Sequence, residues 1–205
     1  KIMKKIYSNI NIIGGGLIGA FTAYSLSKLN FKITILEKNS KFNIKKHPDL
    51  RTVAISEGTR TFLDDIGIWK QIKPYAEPIK KISVINRKLS EKIEFDNFRR
   101  LSSLGYIVKN KHLLNVLYKE LNKLNNVKIL NQADVINIEN KKYVMTTNLK
   151  QCSIDSDLIV AADGKFSYVR NIFKTPIYKK NYNKKAIVLT FTHTKNHLNT
   201  AFEFF

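Results

Sequence analysis

Residues 10–19 read Ile10-Asn11-Ile12-Ile13-Gly14-Gly15-Gly16-Leu17-Ile18-Gly19, and residues 31–37 read Phe31-Lys32-Ile33-Thr34-Ile35-Leu36-Glu37. The β-branched run Ile10, Ile12, Ile13 predicts a short buried strand. Ala20 to Leu29 predicts a helix whose apolar stripe holds Leu17, Phe21, Tyr24, Ser25 and Leu29. Residues 31–36 alternate as a second strand, which ends at the carboxylate of Glu37. Gly14, Gly16 and Gly19 make GxGxxG, and the order strand, turn, helix, strand, acid gives that pattern its meaning. Gly14 permits the tight turn and Gly16 lets a pyrophosphate approach the backbone. Gly19 lets helix and strand pack closely, and the helix N-terminus holds the anion. Glu37 follows Gly19 by 18 residues, where a carboxylate accepts hydrogen bonds from an adenosine ribose. The unit predicts a dinucleotide site but does not separate FAD from NAD.

Farther along, residues 59–69 predict a helix with Phe62, Leu63, Ile66 and Trp69 on one face. Residues 79–98 alternate apolar and polar around a Lys/Ser/Glu turn and predict a hairpin. That hairpin interrupts the α/β pattern, so a second, β-rich layer is expected to grow from it. Leu113, Leu114, Leu117, Leu121 and Leu124 form a helical core stripe. Short strands follow near 127–130 and 135–139, then a buried strand over 157–162 that ends in a turn at Asp163-Gly164.

The chain has 205 residues, 43% of them apolar and 11% aromatic. That is enough for a real core, which excludes a disordered tail or a fibre. The net charge of +20 raises nucleic acid or an anionic membrane as partners. However, 30 of the 36 cations are Lys, scattered among 26 Ile and 21 Asn. That reads as a general codon bias and not as an Arg- and aromatic-rich nucleic-acid site, so no nucleic acid is expected. The lone Cys152 forms no intramolecular disulfide and fits a reducing cytosol. Lys1, Lys4 and Lys5 before an apolar stretch imitate a signal peptide, but Asn9, Asn11 and the glycines interrupt it. His193 and His197 stand at i, i+4, yet in a strand-and-loop context without a third ligand, so no metal is expected. Asp64-Asp65 reads as a solvated helix face.

At Ala162-Asp163-Gly164-Lys165-Phe166-Ser167-Tyr168-Val169-Arg170 the reading narrows. An Asp-Gly-x-x-Ser-x-x-Arg segment this far beyond GxGxxG resembles the single-component FAD monooxygenases related to para-hydroxybenzoate hydroxylase. Within these the chain is more similar to the ubiquinone-biosynthesis branch of 2-octaprenyl-phenol hydroxylases. Three further segments carry that resemblance: residues 49–56 with Gly67-Ile68-Trp69, residues 105–110, and residues 193–205.

The resemblance implies an α/β fold: a Rossmann-like βαβ domain binding FAD, with an inserted mixed β-sheet substrate domain that is incomplete at the C-terminus. Residues 3–78 and 99–175 would form the FAD-binding domain, and 79–98 with 176–205 the start of the substrate domain. Gly14, Gly16 and Gly19 would hold the FAD pyrophosphate and Glu37 its adenosine ribose. Arg51 would contact the FAD phosphates or the ribityl side, and Asn110 would touch the cofactor. Asp163 and Gly164 would serve both FAD and the NAD(P)H pyrophosphate, with Ser167 and Arg170 shaping their turn. NAD(P)H is a candidate electron donor, and O₂ and a prenylated phenol are the implied reactants. In an intact enzyme, reduced flavin and O₂ give a C4a-hydroperoxide whose distal oxygen the ring attacks, so no catalytic protein residue is named. A lipid-like substrate implies a cytoplasmic protein, peripheral on the inner membrane or in a ubiquinone-biosynthesis complex. Lys179, Lys180, Lys184 and Lys185 are either a membrane-facing patch or solvated surface.

The chain also departs from the family. The second flavin motif, Gly-Asp followed by Ala-Ala-His and a Pro, has no counterpart here. Asn196 stands where Pro is usual and Phe204 where Arg is usual. Two readings stay open: the N-terminal half of a hydroxylase, or a truncated, inactive remnant retaining at most nucleotide binding. An NAD(P)-dependent dehydrogenase is a third, and the Asp163-Gly164 motif and the hairpin speak against it.

Overall fold

The computed structural model describes residues 4–40, 42–43, 49–96 and 103–205. Of the domain ranges expected above, residues 3, 41, 44–48 and 97–102 lie outside the described residues. The chain opens with β1 (Lys4–Ile13), α1 (Leu17–Ser27), β2 (Ile33–Glu37), β3 (Thr52–Ser56), α2 (Glu57–Asp65) and α3 (Trp69–Ile72). Next come β4 (Ala76–Ile79), β5 (Lys81–Asn86), β6 (Glu91–Phe95), β7 (Gly105–Lys109) and α4 (Asn110–Leu121). Then follow β8 (Val127–Asn131), β9 (Val135–Lys141), β10 (Val144–Leu149), β11 (Cys152–Ala161), α5 (Tyr168–Ile172) and β12 (Thr200–Phe204).

Two compact units divide the chain, residues 1–47 with 114–184 and residues 48–113 with 185–205. Compactness therefore groups 48–78 and 99–113 with the second unit, whereas the resemblance counts them with the cofactor-binding part.

In the first unit one six-stranded sheet runs in the order β8-β2-β1-β11-β10-β9. The strands β8, β2, β1 and β11 are parallel, and β9, β10 and β11 form an antiparallel meander. Ile13 and Leu36 form a core cluster with Ile138, Leu149 and Ile154 of the meander and Val169 of α5. Ile12 instead lies against α1, its Cγ2 3.3 Å from where a Cβ of Gly19 would stand. Layers on both faces explain why the C-terminal part of β1 and β2 read as apolar runs.

Three sequence expectations need correction in this unit. The segment 33–36 does not alternate: Ile33, Thr34, Ile35 and Leu36 are all buried, because α1 packs on β2 and Leu36 joins the core cluster with the meander and α5. The buried face of α1 is Gly19, Ala20, Ala23, Tyr24 and Ser27. Small residues bring the helix close to the sheet, so Leu17 and Phe21 are only half-buried and Leu29 is exposed beyond the helix end. β10 is a strand without a counterpart among the sequence expectations, β1 and β11 are each ten residues long, and the stretch 157–162, expected as a buried strand, has Asp157, Leu158 and Ala161 exposed and Ile159 and Val160 only half-buried.

The second unit holds two three-stranded sheets, β3-β7-β4 and β12-β5-β6. The expected hairpin is present as β5 and β6, antiparallel from Ile82↔Phe95 to Asn86↔Glu91. The parallel strand β12 joins it along Thr200↔Lys81 to Phe204↔Ile85. The expected helix over 59–69 is two helices, α2 and α3, separated at Gly67, whose φ of +76° ends α2 in a left-handed turn. Ser56 caps α2 by accepting from the Thr59 N–H at 3.2 Å. Leu63 and Trp69 are buried as expected, but Phe62 is exposed. In α4 the leucine stripe is buried at Leu113, Leu114, Leu117 and Leu121, together with Val116 and Tyr118, whereas Leu124 lies beyond the helix end and is only half-buried.

Candidate functional site

The first unit's cofactor candidates converge where the parallel strands end. The Gly14 N–H donates to the Leu36 carbonyl at 2.8 Å, and the Ala162 N–H to the Ile13 carbonyl at 2.8 Å. These bonds bring the C-terminal ends of β2, β1 and β11 level. Gly14 adopts φ +107°, and a Cβ there would meet the Ala162 oxygen at 2.3 Å and the Asp163 nitrogen at 2.9 Å. A Cβ on Gly19 would overlap the carbonyl oxygen of Gly14. The turn is thus wedged between its own helix and the turn after β11, which leaves no room for a side chain at Gly14 or Gly19. Gly16 is different, because no heavy atom lies within 4 Å of its Cβ position.

A cavity of about 510 Å³ opens here, within the range that holds small ligands. Gly14, Gly16, Glu37, Asp163 and Gly164 line it. Gly19 does not; it acts by packing against Gly14. Gly16 is also the N-cap of α1, whose first turn carries no acidic residue, so no charge of the helix's own offsets the positive end of its dipole.

Glu37 sits at the end of β2. Its Oε2 accepts from the Gly15 N–H at 2.9 Å, and its Oε1 from the Asn39 N–H at 2.8 Å and the Asn39 Nδ2 at 2.7 Å. The carboxylate is therefore oriented by the backbone at the cavity wall. Asp163 Oδ2 accepts from the N–H groups of Tyr168 at 2.7 Å and Val169 at 3.1 Å. Its Oδ1 is buried without a hydrogen-bond partner among the described residues. Ser167 Oγ accepts from the Arg170 N–H, and Arg170 Nη2 donates to the Lys165 carbonyl at 2.9 Å, so both residues hold the turn.

The second unit contains Arg51 and Asn110, and Asp49 gathers them. Arg51 donates from Nε to Asp49 Oδ1 at 2.8 Å and from Nη2 to Oδ2 at 2.9 Å. Asn110 Nδ2 donates to Asp49 Oδ2 at 3.1 Å. The Arg51 hydrogen bonds hold the Asp49 carboxyl well below the usual carboxylate range, with Asn110 adding to the effect against the opposing cost of burial.

Sequence reading misses Asp49, Gly15 and Tyr118. A Cβ on Gly15 would stand 2.3 Å from the Tyr118 hydroxyl and 2.8 Å from Glu37 Oε2. Tyr118 hides because the leucines dominate the pattern of α4; its signal is a hydroxyl-bearing ring one position after Leu117 in a buried stripe. His193 and His197 lie in an exposed, irregular segment with ring centroids 5.9 Å apart. Among the described residues no helix is long and apolar enough to cross a membrane.

The site fits a dinucleotide. It offers an open glycine cradle at a helix N-terminus for a pyrophosphate, an oriented carboxylate for ribose hydroxyls, and a buried acceptor oxygen still unmatched. The fold is shared with p-nitrophenol 4-monooxygenase PnpA of Pseudomonas putida, at TM-score 0.71 and 24% identity over 83% of this chain and 44% of that one. PqsL of Pseudomonas aeruginosa, solved with 2-aminobenzoylacetate, matches at TM-score 0.74 and 15% identity over 86% of this chain and 48% of its own. In sequence, ubiquinone hydroxylase UbiM of Neisseria meningitidis is 26% identical over 98% of this chain and 45% of that protein. The mitochondrial ubiquinone biosynthesis monooxygenase COQ6 of Dictyostelium discoideum is 26% identical over 89% of this chain and 42% of that protein. The chain thus spans less than half the length of these curated relatives. A match to the FAD binding domain over residues 7–200 covers nearly all of the sequence, and the chain belongs to that family.

Proposed function

We propose that this chain is the FAD-holding part of a monooxygenase that hydroxylates the ring of a polyprenyl phenol in ubiquinone biosynthesis. The observation that carries the cofactor part is the convergence of the Gly14–Gly19 turn, Glu37 and Asp163-Gly164 on one cavity. The substrate class is supported by the relatives, which are named for ubiquinone hydroxylation and ubiquinone biosynthesis.

In this reading the Gly16 N–H and the N-terminus of α1 take the pyrophosphate. Glu37, held by Gly15 and Asn39, accepts from the adenosine ribose. The unmatched Oδ1 of Asp163 accepts from a hydroxyl of the cofactor. Arg51 and Asn110 belong to the same cofactor set on the strength of the resemblance, with Asp49 fixing both side chains. Bound FAD supplies the chemistry by which one atom of O₂ enters an aryl C–H bond while the other leaves as water, two electrons coming from a nicotinamide donor. The exposed Lys179, Lys180, Lys184 and Lys185, beside Tyr178 and Tyr182, support peripheral contact with an anionic membrane surface, where such a substrate would reside.

The test is a visible absorption spectrum of the purified chain after gel filtration, with and without added FAD. Oxidised-flavin bands that travel with the protein support the reading. A colourless protein that also fails to retain added FAD rejects it and favours the inactive remnant. The substrate is tested in a protein of the relatives' full length, supplied with NADPH, O₂ and a polyprenyl phenol. The expected product is heavier by one oxygen atom.

A further inference from the structure

We propose that Tyr118 is a positioning residue that aims the phosphate-binding turn from outside the βαβ unit. Tyr118 Oη donates to the Gly15 carbonyl at 2.8 Å, while the Gly15 N–H donates to Glu37 Oε2 at 2.9 Å. Gly15 is thereby held at both ends. The peptide joining Gly15 to Gly16 is trans and planar, so its N–H points opposite to its C=O. Pinning the Gly15 carbonyl on Tyr118 therefore fixes the Gly16 N–H in the opposite direction. Gly16 lines the cavity and has open space around it, so this donor is the one a bound phosphate would meet. The proposal rests on the FAD reading only for the identity of that phosphate.

Tyr118 is built to stay put. The residue is 7% exposed, and its ring stacks on Phe42 at 5.3 Å between centroids with 23° between planes. Burial, and then the negative charge of Glu37, push its hydroxyl above the ordinary tyrosine range. The group remains a neutral donor at any physiological pH. The same packing explains the middle glycine of the turn. A methyl on Gly15 would reach within 2.3 Å of a hydroxyl whose ring has nowhere to go.

Tyr118→Phe, Gly15→Ala and the double variant test this in the 205-residue chain. Hydrogen exchange is read without cofactor, and FAD affinity by titration. Tyr118→Phe is expected to speed exchange at the hydrogen-bonded Gly15 amide about tenfold, with β1 and β11 unchanged, and to raise the FAD Kd about five- to tenfold. Gly15→Ala is expected to weaken FAD far more in the wild-type background than in the Tyr118→Phe background, where the hydroxyl it strikes is gone. A Tyr118 that is only a core residue would lower the melting temperature and raise exchange uniformly. The FAD affinity of the folded protein would then be unchanged, and the two substitutions would add. Either of those results overturns the proposal. If wild type binds no FAD, the cofactor reading fails, and exchange at the turn alone still decides whether Tyr118 aims it.

Discussion

The carbonyl oxygen of Ala162 lies 2.3 Å from where a side chain on Gly14 would begin. The GxGxxG turn and the Asp163-Gly164 turn are therefore packed backbone against backbone, although most of the chain separates them. Parallel pairing of β1 with β11, from Lys4↔Cys152 to Ile13↔Ala161, brings them there. The geometry of the Gly14–Gly19 turn is set by β11 as much as by its own βαβ unit.

Gly14 and Gly16 should consequently respond to the same mutation in opposite ways. Gly14→Ala meets a backbone wall at φ +107° and is expected to cost about 3 kcal/mol or more. Gly16→Ala adds a methyl to open space at φ −66°, so stability should move by less than about 1 kcal/mol. Its FAD affinity should still fall about tenfold, because the methyl occupies the pyrophosphate's approach. Urea unfolding and a flavin titration of both variants separate the effects. Equal loss of stability in the two would refute the assignment of Gly16 to the ligand.

Glu37→Gln probes the oriented carboxylate. One carboxylate oxygen serves the Gly15 N–H, and the other serves two donors from Asn39. An amide cannot accept on both sides, so one set of N–H groups faces a donor. Hydrogen bonds to charged groups contribute about 1.5–3 kcal/mol. An FAD Kd raised about tenfold or more is expected, measured by quenching of flavin fluorescence. An unchanged Kd would remove Glu37 from the site.

Sequence legibility follows the physics of each element. The two glycine turns are readable because close backbone approach at Gly14 and Gly19, and a left-handed φ of +82° at Gly164, favour glycine and leave a spelled-out pattern. The inward face of α1 is not, because it is made of Ala20, Ala23 and Gly19, while the eye follows Leu17 and Phe21. β10 escapes notice because two of its three buried positions, Thr146 and Thr147, are polar. Thr146 donates to Asp155 at 2.8 Å, and Thr147 accepts from the buried Asn11 at 2.9 Å. Such pairs satisfy hydrogen bonds inside the sheet without an apolar signature. The roles of Asp49 and Tyr118 depend on partners distant in sequence, Asn110 and Gly15, which no local pattern announces.

Asp163 combines a cap and an unmatched acceptor. Asp163→Ala deprives the Tyr168 and Val169 N–H groups of their acceptor and is expected to cost about 1–2 kcal/mol. Asn caps nearly as well as Asp, so Asp163→Asn should hold stability within about 0.5 kcal/mol. The amide must then place its NH₂ where the buried Oδ1 now stands. Weaker FAD binding in the Asn variant, at unchanged stability, is the expected outcome. Full affinity there would confine Asp163 to capping.

His112 makes stability pH-dependent in a stated window. Its ring stacks on Tyr75 at 4.7 Å between centroids and 11° between planes, and Nδ1 is buried without a partner among the described residues. Burial lowers its proton affinity below the ordinary histidine value, and the nearby Lys111 and Lys109 lower it further. The unfolded chain binds this proton at about pH 6.5, whereas the folded chain binds it only at lower pH. Between those two values the unfolded state carries more protons, so stability rises with pH. The contribution is present above the unfolded value, declines as pH falls below it, and levels off once the folded histidine is also protonated. His112→Gln removes the titration while keeping a polar side chain. Melting temperatures taken through the weakly acidic range should fall less steeply for the variant than for the wild type. Parallel curves would mean that a different group titrates.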